Sequence, residues 1–181
     1  MIKKILVSQP APATDKSPYH DIAQNLGVEF TFQPFVKVEG LEAREFRSQK
    51  VNILDHTAIV FNSRNAIEHF FHLCKELRVI LPEDMKYFGI SEKVILYIQK
   101  FVQYRKRKVF FGTSGHWPEL LTVMAKHKTE KYLFPLSEGT SLEIAGQLDQ
   151  KKIKHTECAM FRTVQAKLDE DTFKNYDMIL I

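Results

Sequence analysis

Short apolar runs alternate with helix-period apolar stripes along almost the whole of this 181-residue chain, and a chain so patterned has few folds open to it. Lys4 to Ser8 reads as a strand. Ser17-Pro18 then opens a helix, with serine as cap and proline in the first turn, and Gly27 closes it. Val28 to Val38 reads as one Phe- and Val-rich strand, punctuated by Gly40, and Leu41 to Lys50 as a polar helix. Ala58 to Phe61 is a strand, after which Ala66, Ile67, Phe70, Phe71, Cys74 and Leu77 fall at helical spacing. Further strands are expected at Lys86 to Gly89, Lys108 to Phe111, Tyr132 to Phe134 and Lys154 to Val164. Helices are expected around Val94 to Val102, Pro118 to Lys126 and Leu142 to Gln150. Strands alternating with helices build βα units, and βα units build a mostly parallel sheet.

The residues at the strand ends share a pattern. They read ILVSQ, VFNSR, FGISE, FFGTS and LFPLSEGTS, so Ser8, Ser63, Ser91, Ser114 and Ser137 each stand where a strand hands over to a loop or helix. In a parallel sheet these ends face one side, where α/β proteins bind ligands. Two readings stand side by side. Each serine is a helix cap and nothing more, or the hydroxyls and the helix N-termini beside them form a polar rim for carboxylates or phosphates. The second reading makes Ser8, Asn62, Ser63, Arg64, Ser91, Ser114 and the loop Ser137, Gly139, Thr140, Ser141 the candidate binding set.

Composition excludes several classes. With 44% hydrophobic residues and 14 Phe the chain is globular, not disordered. A net charge of +4 favours anionic partners mildly but is too small and too dispersed to indicate nucleic acid. Cys74 and Cys158 sit in apolar patterns without metal or redox spacing, as buried free thiols would. The opening MIKKILVSQPAP has too short an apolar run for a signal peptide, no long apolar run follows, and a cytoplasmic chain without membrane partners is expected. There is no GxGxxG, no GxxxxGK[ST] and no GxSxG. His69 and His72 lie three apart on one helix without a third ligand at metal spacing, which reads as a solvated face. The run Tyr104 to Lys108 suits either steering of an anion or a charged entry to a strand. His116-Trp117 suits core or cleft equally.

Four stretches in this order carry a resemblance: AIVFNSRNAIEHFF, YFGISEKVILYI, YLFP followed by a polar Gly-containing loop, and AMFRTV. Together they make the chain resemble the uroporphyrinogen-III synthases over essentially its whole length. Asn62, Ser63, Ala66 and Ile67 fit the family pattern of a strand, a hydroxyl-rich turn and an aromatic-rich helix. There are departures. Glu92 stands where the family often carries a hydroxyl, and Phe161 corresponds to a tyrosine associated with departure of the leaving group, a role phenylalanine cannot fill. The family continues past the point where this sequence ends in YDMILI, which reads as a central buried strand, and on that basis a C-terminally truncated synthase is expected.

The resemblance implies an α/β fold of two flavodoxin-like parallel-sheet domains joined by two linkers. The outer domain is discontinuous and incomplete (residues 1–36 and 165–181), and the middle domain spans residues 40–161 with five strands. It implies cyclisation of the linear tetrapyrrole hydroxymethylbilane to uroporphyrinogen III, with inversion of the last pyrrole ring through a spiro intermediate, in an interdomain cleft. No metal or organic cofactor is implied, no proton donor is assigned, and a monomer is expected for a full-length chain, with strand exchange open to a shorter one. The residues alone leave two alternatives standing: another α/β enzyme for a small phosphorylated or carboxylated ligand, or a binding domain for one.

Overall fold

A computed structural model describes residues 2–14, 16–168 and 170–181. In chain order the strands are β1 Lys4–Val7, β2 Glu29–Phe32, β3 Val36–Gly40, β4 Ala58–Phe61, β5 Lys86–Gly89, β6 Val109–Phe111, β7 Tyr132–Ser137, β8 His155–Gln165 and β9 Met178–Leu180. The helices are α1 Pro18–Leu26, α2 Ala43–Ser48, α3 Arg64–Glu76, α4 Glu92–Ile95, α5 Trp117–Ala125 and α6 Ala145–Gln150. The chain divides into two compact units, Met1–Lys37 with Thr163–Ile181, and Val38–Arg162.

The smaller unit carries a three-stranded sheet in the order β2-β1-β9, with β1 parallel to both neighbours. Ser17 caps α1 by accepting the Tyr19 N–H, and Gly27 ends it in the left-handed conformation, as the serine–proline and glycine signals required. One expectation changes here. The single strand from Val28 to Val38 is two strands, because Pro34 has no N–H to give a ladder and restricts Gln33 before it. The terminal strand β9 has β1 as its one ladder partner among the described residues, and its Met178, Ile179 and Leu180 are 37%, 39% and 37% exposed. Asp177 caps this sheet by accepting the N–H groups of Lys3 and Lys4 at 2.8 and 2.9 Å.

The larger unit is built on a sheet ordered β3-β8-β7-β4-β5-β6, one strand more than expected because β3 joins it. The ladders β4–β5, β4–β7, β5–β6 and β7–β8 are all parallel. Side chains alternate across the sheet. Ile59 and Phe61 of β4 pack with Phe70, Leu73 and Cys74 of α3 and with Phe46 of α2, whereas Ala58 and Val60 pack with Leu120, Leu121 and Met124 of α5 and Leu148 of α6. The unit therefore has helices on both faces. Cys74 and Cys158 are buried free thiols on the first of these faces. Burial pushes the Cys74 thiol up to about 12 and Cys158 in the same direction, which disfavours the thiolate at both. The expected helix from Val94 to Val102 is one α-turn followed by a 3₁₀ stretch, Leu96–Lys100. Among the described residues no helix is long and apolar enough to cross a membrane.

Candidate functional site

The strand order locates the site. From β4 the chain runs outward to β5 and β6, then returns to the other side of β4 to lay down β7 and β8. The loops leaving β4 and β7 therefore diverge from neighbouring strands, and a crevice opens at their carboxyl ends, the usual ligand position in an open parallel sheet. A pocket of ≈ 340 Å³ lies there, lined by Asn62, Ser63, Ser137, Thr140 and Ser141, with Trp117, Leu136, Leu142, Glu143 and Phe161 completing its wall.

Each wall has a local cause. Ser63 is the N-cap of α3, and its Oγ accepts the Ala66 N–H at 3.1 Å. The helix begins at the pocket mouth, so its first N–H groups lack intrahelical acceptors there. Across the crevice, the register of β7 on β8 slips between Leu136 and Ser137, which turns the chain out of the ladder. The loop is then tied down at both ends. Ser137 C=O accepts the Thr140 N–H (3.1 Å) and hydroxyl (2.6 Å), Glu138 N–H donates to Phe161 C=O (2.7 Å), and Leu142 N–H donates to Glu157 Oε2 (2.9 Å). Gly139 takes φ +76° within this turn, a backbone that side chains strain. Arg162, at the end of the larger unit, pairs with Glu45 and reaches Glu138 at 3.5 Å, which braces the same loop from behind.

Glu143 carries the one formal charge in the lining, and it is negative, so an anion held here is held by N–H and O–H donors. Phe161 is 7% exposed and stacks on the His69 ring at 5.3 Å, with no proton to offer. Burial, the larger effect, pushes His69 below its ordinary value. Trp117 is both core and wall: its ring lies 6.3 Å from Phe134 while it also borders the pocket. Among the described residues no group of His, Cys, Asp and Glu is arranged to hold a metal ion.

The other candidates fall elsewhere. Ser91 and Ser114 follow β5 and β6 on the same edge of the sheet but outside this pocket. Ser91 caps α4 through the Val94 N–H at 3.4 Å. Gly139 sits in the loop without lining the pocket, and Arg64 lies with its guanidinium 5.5 Å from the Tyr97 ring centroid, also outside the lining. Ser8 belongs to the smaller unit, where its N–H donates to Leu180 C=O at 2.8 Å.

Ser114 shows a feature that the sequence pattern did not disclose. Glu119, in the first turn of α5, accepts the Thr113 hydroxyl (2.6 Å) and the N–H groups of Thr113 and Ser114 (both 2.8 Å). The chain's own carboxylate thus occupies the donors of this strand end. The signal was present, since an acid straight after Pro118 marks a helix's first turn and can reach back to the preceding loop. These bonds, the Thr113 hydroxyl's foremost and then those of Ser114, hold the Glu119 carboxyl down to about 2, from an ordinary 4.5. A carboxyl lowered on folding stabilises fully above its ordinary range and loses that contribution as pH falls toward its folded value. Glu119→Gln is therefore expected to melt below the parent above pH 4.5 and to converge with it near pH 2. A Glu119 titration midpoint near 4.5 by carboxyl NMR would contradict the assignment.

A doubly wound parallel sheet with a polar crevice at its switch point defines the class, an open α/β fold of the kind that binds small molecules at that position. The comparisons narrow that class. The family model of uroporphyrinogen-III synthase HemD matches residues 17–179, and the chain belongs to that family. No curated protein sequence matches it. Among solved structures it is similar to a mutant uroporphyrinogen III synthase from the extreme thermophile Thermus thermophilus, with TM-score 0.59 and 12% identity, over 91% of this chain and 64% of that one. It is also similar to uroporphyrinogen-III synthetase from Helicobacter pylori, with TM-score 0.52 and 11% identity, over 94% of this chain and 66% of that one. At these identities the likeness is one of fold, and the chain spans a little under two thirds of the length of both.

Proposed function

We propose that the chain acts as a uroporphyrinogen-III synthase, closing hydroxymethylbilane to uroporphyrinogen III with inversion of the last pyrrole ring. The observation that carries this reading is the crevice between the ends of β4 and β7, where Asn62, Ser63, Ser137 and Ser141 bring hydrogen-bonding side chains to one pocket. The substrate loses its terminal hydroxyl as water, leaving an electrophilic methylene. Attack by the substituted carbon of the last pyrrole gives a spiro intermediate, which fragments and recloses. The bilane closes unaided to the wrong isomer, so the protein's task is to hold the reacting ends in a geometry that solution disfavours. Donors fixed on the α3 N-terminus and on a loop hydrogen-bonded at both ends suit that task, because they grip carboxylate arms without reorganising. Phe161 leaves that position of the wall without a proton to donate, which favours positioning over acid catalysis there.

The test is conversion of hydroxymethylbilane with separation of the I and III isomers. Asn62→Ala, Ser137→Ala and Ser141→Ala are each expected to lower III formation by about 2- to 10-fold, the worth of one hydrogen bond among several. Uncatalysed I isomer should rise in compensation. Activity indifferent to all three substitutions would remove this pocket from the reaction. A chain that binds the bilane in this pocket and makes no III isomer would instead be a binding domain.

A further inference from the structure

The amino-terminal edge of the larger sheet carries a second pocket, of ≈ 310 Å³, whose lining includes Lys50, Lys131, Lys154, His56, His155 and Asp55. It lies a full strand length from the crevice, about 17 Å along β7 at about 3.3 Å per residue. We propose that this pocket binds a small oxyanion bearing at least two negative charges, a phosphate or polycarboxylate group, independently of the crevice.

Backbone register forces two of the cations together. Tyr132 pairs with His155, so Lys131 and Lys154, the residues just before them, stand side by side on neighbouring parallel strands. Their main chains are fixed. Lys131 C=O accepts the N–H groups of Thr57 (3.0 Å) and Ala58 (3.2 Å), and Lys154 C=O accepts that of Tyr132 (2.9 Å). Lys50 adds a third lysine to the lining from just beyond the end of α2, at φ 55°, a backbone glycine would adopt with less strain.

None of the three lysines forms an ion pair among the described residues, although carboxylates are near. Glu130, next to Lys131, is taken by Lys86. Asp55 accepts the Asn52 side-chain N–H at 2.9 Å. Asp149 lies 3.9 Å from His155. Like charges in register on adjacent strands cost stability, and a bound anion relieves that cost. Two histidines share the lining. His56 Nδ1 is 2.9 Å from Asn52 C=O and His155 Nδ1 is 3.1 Å from Ile153 C=O. A carbonyl only accepts, so each Nδ1 carries a proton, and each Nε2 can donate to an oxyanion only in the imidazolium form, the form a bound anion favours.

The experiment is isothermal titration of the full chain at low ionic strength with pyrophosphate and, separately, citrate. The parent is expected to bind one equivalent of at least one of them. Tighter binding of pyrophosphate assigns the pocket to phosphate groups, and tighter binding of citrate to polycarboxylates. Lys131→Ala/Lys154→Ala should weaken binding at least tenfold. Lys106→Ala/Arg107→Ala, which removes the same charge from the 3₁₀ turn before β6, should leave it unchanged. Imidazole NMR of the parent supplies a reading that needs no variant: pyrophosphate or citrate should shift His56 and His155 and leave His116 in place. Absence of binding by the parent, equal loss in both double variants, or shifts spread over all three histidines would overturn the proposal.

Discussion

Phe70→Ala is expected to lower folding stability by about 4 kcal/mol, within the range for truncating a fully buried phenylalanine. Phe70 is 0% exposed, on the face of α3 that meets the sheet. Its ring lies edge-on to Phe61 of β4 at 5.4 Å and to Phe71 at 5.1 Å. The flanking residues are fixed to a strand and to a helix, so the site collapses poorly and most of the cavity persists. Against a total stability of roughly 5–15 kcal/mol for a domain, that is a large share. The effect reaches the pocket, because the same helix carries Ser63 at its start. Urea denaturation should show a lower midpoint at unchanged slope, and a loss under about 1 kcal/mol would mean that α3 and the sheet do not form a packed layer.

Gly89→Val is expected to cost about 3 kcal/mol or more, at the upper end for overpacking. A Cβ on Gly89 would sit 2.4 Å from the Ile95 Cβ and 3.3 Å from its Cα. Neither side can yield cheaply. Gly89 pairs in register with Phe61 on one side and Phe111 on the other, and Ile95 is 0% exposed on α4. Relief requires α4 to lift from the sheet and take its cap Ser91 with it. Faster amide exchange at Val94 and Ile95 should report that movement, and a variant as stable as the parent would show that α4 adjusts without cost.

The smallest scale of this structure was legible in the sequence because its causes are local. A helix-period stripe placed α3, and apolar runs placed β4 to β8 of the larger sheet, since burial of one face is written into the spacing of apolar residues. Ser17-Pro18 with Gly27, and Ser63 before α3, acted as the caps their chemistry suits. The break at Pro34 stands in the sequence too, inside a Phe- and Val-rich run that reads as one strand.

Pairing across the sheet is decided by contacts distant in sequence, and it sorted what the sequence left equivalent. Four serines follow the strands β4, β5, β6 and β7 of the larger sheet, and by sequence they look alike. Because β7 returns beside β4 while β5 and β6 lie on its other side, Ser63 and Ser137 share a pocket and Ser91 and Ser114 stand outside it. The donors at Ser114 are filled by Glu119 through a local reach-back whose geometry only the folded loop reveals. Lys131 and Lys154, far apart in the chain, become neighbours through the pairing of β7 with β8. The sequence by itself determined which segments are strands and helices and which polar residues stand at their ends, since those follow from short-range sterics, capping and periodicity. Tertiary structure alone decided which ends meet, because strand order depends on how a parallel sheet buries both its faces, and no local pattern encodes that order.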